Sequence, residues 1–146
     1  MKKIYFLLLT AFISCSPDYD TKYYKAISLD KKDTAILKLI TAKGSFYGDY
    51  KVIYDGRSTD EGTISGNIIG DTLVGNFRYL SRDNTKLIDP IVFLKTGNKL
   101  KLGTGEAGTY MNFHVYKRGT VSFADSLLQF LPVKPEEVSN SFKVIY

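Results

Sequence analysis

From about Thr21 onward, apolar and polar residues alternate with a period of two in short runs separated by Gly, Asp and Asn, the spacing of an all-β meander. Ala35, Leu37 and Leu39 alternate with Ile36, Lys38 and Ile40 in a strand that ends near Lys43-Gly44. Phe46, Gly48, Tyr50, Val52 and Tyr54 then share one face, opposed by Tyr47, Asp49, Lys51 and Ile53. After a loop over Asp55–Glu61, positions 62, 64, 66, 68 and 70 read Gly, Ile, Gly, Ile, Gly, whereas 63, 65 and 67 read Thr, Ser, Asn. Glycines at period two weaken a flat strand, so they mark sharp bends of a closing sheet or room for large side chains from other strands. Gly70-Asp71 reads as a two-residue hairpin turn. It leads to Leu73, Gly75, Phe77 and Tyr79 on one face, with Thr72, Asn76 and Arg78 on the other.

Beyond the polar loop Ser81–Lys86, Ile91 and Phe93, with Leu87 in phase, oppose Val92 and Leu94. Pro90 sits near the start of that strand, where a missing N–H is tolerated. Thr96-Gly97-Asn98 turns the chain into Lys99–Leu102, Tyr110–Tyr116 forms one further run, and Arg118-Gly119 turns into Val121-Ser122-Phe123. Ser126–Val133 reads either as a closing strand or as a helical turn capped by Asp125 or Ser126, with Pro132 and Pro135 stopping it. No amphipathic helix precedes Asp125. Strands in so small a domain must avoid long open edges. The expected fold is all-β: an antiparallel up-and-down barrel of about eight to nine strands over residues 26–133, with a β-sandwich as the alternative and residues 134–146 as a C-terminal tail.

The N-terminus follows a different rule. Lys2 and Lys3 precede the apolar run Ile4–Ile13, which is too short for a permanent membrane span, and Ser14 then stands before the only cysteine, Cys15. Residues 1–14 read as a signal peptide, and the arrangement resembles the lipobox of bacterial lipoproteins. That resemblance implies cleavage before Cys15, lipidation of its sulfur and amino group, and a membrane tether of several acyl chains. An ordinary secretory signal with an incidental cysteine is the alternative. Residues 15–25 would then be the lipidated cysteine and a spacer.

Composition narrows the chemistry. Of 146 residues, 44% are hydrophobic and 24% charged, with one Cys and one His. That excludes disorder as the main state, an intramolecular disulfide, and a Cys/His or His-pair metal centre. Neither cofactor nor metal is expected. Removing residues 1–14 takes away Lys2 and Lys3 and lowers the formal charge from +5 to +3, and no Lys/Arg block remains, so nucleic acid is not an expected partner. His114 is a conceivable general base, but no nucleophile motif accompanies it, and a histidine at the rim of a strand is the plainer reading. Asp55–Glu61 holds three carboxylates and two hydroxyls, without EF-hand spacing, and reads as a solvated loop before a calcium site.

The aromatic residues on the expected inward faces carry the functional reading: Phe46, Tyr50, Tyr54, Phe77, Tyr79 and Phe93. A small barrel can be filled by such rings or can hold one small ligand among them. Tyr50, Tyr54, Phe77, Tyr79 and Phe93 are the candidate ligand-binding residues, with no catalytic residue proposed. Lys95, Lys99 and Lys101 could meet an anionic head group, or form a solvated lysine-rich strand.

Several segments, taken in order, resemble small lipoproteins of Bacteroidetes built as lipocalin-like antiparallel barrels. They are Gly62-Thr63-Ile64-Ser65-Gly66-Asn67-Ile68, Gly70-Asp71-Thr72-Leu73, Phe77-Arg78-Tyr79, Phe93-Leu94-Lys95-Thr96-Gly97, and Gly103 with Gly105. Two positions depart from the pattern, Thr104 between those glycines and Asp89-Pro90 before Phe93, so a polar feature shared inside such barrels would be absent here. The resemblance implies an outer-membrane lipoprotein of the cell envelope, on its periplasmic face or at the cell surface, and Asp18 and Asp20 would suit an export signal. It implies no activity. The expectation is a non-enzymatic, membrane-tethered module that binds a small apolar or amphipathic ligand or an envelope component. The alternative is a protein-interaction or inhibitor module with a filled barrel, working through loops Asp55–Glu61 or Ser81–Lys86.

Overall fold

Period-two alternation produces strands that close on themselves. The structure, a computed structural model, describes residues 18–81, 84–111, 113–124, 126 and 128–142. Cys15 with its leader, Asn112 and Asp125 lie outside the described residues. The strands are β1 (Asp20–Ile27), β2 (Thr34–Ala42), β3 (Ser45–Tyr54), β4 (Ser58–Ile69), β5 (Thr72–Leu80), β6 (Lys86–Thr96), β7 (Lys99–Leu102), β8 (Ala107–Tyr110), β9 (Phe113–Tyr116) and β10 (Gln129–Val133), followed by helix α1 (Pro135–Val138) and a 3₁₀ turn at Ser139–Ser141. Eight of them form a closed antiparallel barrel in the order β1-β10-β7-β6-β5-β4-β3-β2, and β8 and β9 form a separate hairpin. The expected small up-and-down barrel is therefore the observed fold, and the sandwich alternative is excluded.

The core sits where the alternation puts it. Ala35, Leu37, Leu39, Phe46, Tyr50, Val52, Ile64, Leu73, Phe77, Ile91 and Phe93 form one buried cluster with Tyr24, Leu100 and Phe130. Phe46 accounts for two of the glycines, Gly66 and Gly75. Gly66 pairs with Phe46 on β3 and with Gly75 on β5, and a Cβ on either glycine would come within 2.8 Å of the Phe46 ring. The ring lies over bare backbone, which lets the sheet bend tightly at that corner.

Three boundaries differ from the sequence reading, and two further segments are resolved by the structure. The barrel begins at Asp20, inside the stretch read as a spacer, because Tyr24 and Ala26 turn inward while Lys22 and Lys25 stay exposed. The loop after β3 is only Asp55–Arg57, so Ser58–Glu61 belong to β4. The run Tyr110–Tyr116 is two strands folded back at Met111, whose φ of 49° reverses the chain. Ser126–Val133 resolves as the closing strand β10, with Pro132 opposite Tyr24 on β1. Val121–Phe123 contributes only a bridge from Ser122 to Thr104. In the tail, Val138 is buried and Lys51 Nζ donates to the Ser141 carbonyl at 2.8 Å, which lays this segment against the outer face of β3.

Candidate functional site at the barrel mouth

The register sorts the two ends of the barrel by chemistry. At one end lie the start of β1 and the tight turns at Gly44, Gly70 and Gly97, and at the other lie the loops following β1, β3 and β5 together with the β8–β9 hairpin. The middle is packed with rings. Tyr50 meets Phe77 at 4.9 Å, Phe93 at 6.2 Å and Phe130 at 6.1 Å between centroids, and Phe93 stands perpendicular to Phe130 at 5.5 Å. Phe93 and Phe130 have 0% of their surface accessible, so no water-sized space adjoins them. Burial also pushes the Tyr50 hydroxyl's pKa well above the ordinary phenol range.

Toward the loop end the inward positions change from apolar to polar. On β4, Asp60 lies opposite Val52, in phase with Gly62 and Ile64. On β6, Asp89 lies opposite Phe77, in phase with Ile91 and Phe93. Both carboxylates therefore occupy barrel-facing positions. Tyr79 stacks on Phe77 at 4.5 Å with 12° between the planes, and its hydroxyl donates to Asp89 Oδ2 at 2.7 Å. The other Asp89 oxygen, Oδ1, is 2.6 Å from His114 Nδ1. A carboxylate can only accept, so in this pair Nδ1 carries the proton and donates.

Tyrosines surround this pair. Desolvation, then the bond to Asp89, hold the Tyr79 hydroxyl above its ordinary range. Tyr54, 39% exposed at the rim, is raised to about 12, first by desolvation and then by the charge and hydrogen bond of Asp60. Tyr116 is raised by desolvation and by the Asp89 charge. Between β6 and the hairpin lies a hollow of about 410 Å³, lined by Asp89, Pro90, Thr109, His114, Val115 and Tyr116 among others.

Of the five residues singled out in the sequence, Tyr50, Phe77, Phe93 and Tyr79 form one continuous ring system, and Tyr54 stands apart at the rim. Only Tyr79 and Tyr54 reach the polar end. Asp60, Asp89, His114 and Tyr116 were not counted with them, although positions 60 and 89 are in phase with the inward residues of their strands. Asp89, read as a departure that removes a polar feature, is instead the centre of one. The three carboxylates of Asp55–Glu61 separate: Asp55 meets Arg57 at 3.4 Å, Asp60 faces the barrel, and Glu61 meets Lys51 at 3.1 Å on the outer face. Among the described residues, no group of three or more His, Cys, Asp or Glu is placed to hold a metal ion. No protein family, curated protein or solved structure matches the chain, so the reading of this end of the barrel rests on its own residues.

Proposed function

We propose that this chain is a lipoprotein of the bacterial cell envelope, tethered to the outer membrane through Cys15. In this reading its barrel is a non-enzymatic module that binds a small amphipathic ligand, and the chain is akin to the small lipocalin-like lipoproteins of Bacteroidetes. One observation carries the binding part: a polar mouth of tyrosines, Asp89 and His114 opens beside a hollow of ligand size and rests directly on an aromatic floor. An amphipathic molecule in the hollow would set its apolar part against Tyr116, Pro90 and Val115 and its polar part at Asp89. The charged start, short apolar run and lone cysteine at residues 1–15 support the address.

The test uses the full chain produced in a Gram-negative host and extracted from the envelope in mild detergent. A native mass spectrum should show the acylated protein with excess mass that denaturation removes. A Cys15→Ala variant should lose the acyl mass and leave the membrane fraction. Fractionation and acyl mass unchanged by that substitution would refute the address, and a ligand-free native mass would refute the binding module.

A second reading has an observation of its own. The tip of the β8–β9 hairpin exposes Tyr110, Met111 and Phe113 at 67%, 76% and 55% of their surface. Large apolar side chains presented together on a tight hairpin suit a protein partner's pocket, and a barrel with packed rings at its centre would be a rigid support for them. Capture of a stoichiometric envelope protein, abolished by Met111→Ser with Phe113→Ser, would favour this reading.

A further inference from the structure

We propose that the mouth selects organic cations: its ligand carries an ammonium group beside Asp89 and rests its hydrocarbon part on Tyr116 and Pro90. This deepens the binding reading above and rests on it. The charge inventory makes the case. Asp60 from β4 and Asp89 from β6 both face the barrel, and Tyr54, Tyr79 and Tyr116 bring three aromatic rings to the same end. Three basic side chains at this end are engaged elsewhere, and a fourth, Lys86, exposed at the start of β6, does not line the hollow. Lys51 holds Glu61 and the Ser141 carbonyl on the outer face, Lys117 holds Glu106 at 3.0 Å at the hairpin base, and Arg57 holds Asp55 in an exposed loop. Among the described residues, neither Lys nor Arg lines the hollow.

Asp89 is oriented and still has capacity. Its two oxygens offer about four lone-pair positions, of which Tyr79 and His114 take one each. Those two donors fix the carboxylate plane, so an incoming ammonium meets a preset partner. An aromatic face beside a carboxylate is the combination that attracts ammonium groups, because the negative ring face and the charge act together where water is thinned. An anion in the hollow would meet the Asp89 charge with no Lys or Arg in the lining, among the described residues, to offset it. A neutral molecule of the same shape would gain the apolar contact and lose the electrostatic part.

The experiment titrates the full-length protein in detergent with three probes of matched tail, followed by calorimetry and tyrosine fluorescence: hexylammonium, neutral hexanol and anionic hexyl sulfate. The cation is expected to bind at least about tenfold more tightly than either of the others, with affinity falling as salt is added. Asp89→Asn, checked for native circular dichroism, should erase that preference while leaving the weak binding of hexanol. Equal affinity for all three probes, or preference for hexyl sulfate, would overturn the cation assignment and leave the binding module intact. Saturable binding of none of them would overturn both. Should Asp89→Asn fail to fold, the probe series on the unmodified protein decides alone.

Discussion

Phe130 closes the barrel, and truncating it measures how full the interior is. Its ring is 0% exposed and packs against Phe93 at 5.5 Å and Tyr50 at 6.1 Å. Phe130→Ala removes the ring from a site whose walls are strands tied on both sides, β7 through Leu100 and β1 through Tyr23, Tyr24 and Lys25. Such walls cannot collapse inward without breaking ladder bonds, so the loss includes a cavity term as well as the transfer of the ring, about 3–5 kcal/mol together. A domain of this kind holds about 5–15 kcal/mol in all. The substitution should therefore consume a large share of it and lower the melting temperature by about 10–20 °C. Urea unfolding followed by far-ultraviolet circular dichroism measures the difference, and benzene should partly restore stability by occupying the dry cavity. Phe130→Leu, which keeps most of the volume, should cost under about 1.5 kcal/mol. A loss below about 1.5 kcal/mol for Phe130→Ala, with no response to benzene, would mean that space already exists beside the ring and that the centre of the barrel is not packed.

Two further outcomes follow from the packing of the glycines and the burial of the tyrosines. Gly66→Ala would set a Cβ 2.5 Å from Gly75 Cα and 2.8 Å from the Phe46 ring, so it should cost at least about 2–3 kcal/mol in urea unfolding. Gly70→Ala, in open space at φ 59°, should cost only about 1–2 kcal/mol, and equal losses at the two positions would refute the corner packing. Alkaline stability should follow the phenols of Tyr24, Tyr50, Tyr54, Tyr79 and Tyr116, all raised chiefly by desolvation. The unfolded chain releases those protons at about pH 10 while the folded one keeps them, so stability is full below that pH and falls as pH rises toward about 12. Phenolate absorbance and circular dichroism recorded together should show these tyrosines ionising as the barrel opens; complete ionisation of an intact fold at about pH 10 would contradict their burial.

How far the fold could be read from the chain depended on how many residues of each strand carry the alternation. β2, β3 and β5 each have three or more apolar inward residues, and their faces were legible. β1 buries only Tyr24 and Ala26 among charged neighbours and does not stand out from loop composition, and β10 buries only Phe130, so a closing strand and a helical turn both fit Ser126–Val133 in the sequence. The hairpin was hidden because Met111, rather than a glycine, takes the positive φ at its turn. The polar mouth was missed for a different reason. Asp60 and Asp89 keep the inward phase, yet a carboxylate at such a position looks like the end of a strand until the partner that satisfies it is known. Tyr79 and His114 are those partners, and neither is adjacent to Asp89 in sequence; the hydrogen bonds span 10 and 25 residues.

The position of β1 bears on how the proposed tether and the proposed binding end relate. Only four residues lie between Cys15 and Asp20, a reach of at most about 17 Å when fully extended. An anchor at Cys15 would therefore hold the end that carries the β1 start and the turns at Gly44, Gly70 and Gly97 close to the bilayer. Lys43, Lys95 and Lys99 are exposed at that end and suit anionic head groups. Asp89 and the hollow beside it belong to the opposite end, because β6 runs from Lys86 near the mouth to Thr96 near the anchor. His114 joins Asp89 farther toward the mouth than Val92, whose carbonyl accepts the Gly103 N–H, so the hairpin reaches in the same direction as the mouth. A tethered barrel would thus offer its carboxylates and tyrosines to molecules arriving from the aqueous side rather than to lipids of its own leaflet. Under the binding proposal, that geometry would favour a soluble amphipathic cation over a membrane lipid as ligand, and it would put the exposed Tyr110, Met111 and Phe113 where a partner facing the membrane meets them first.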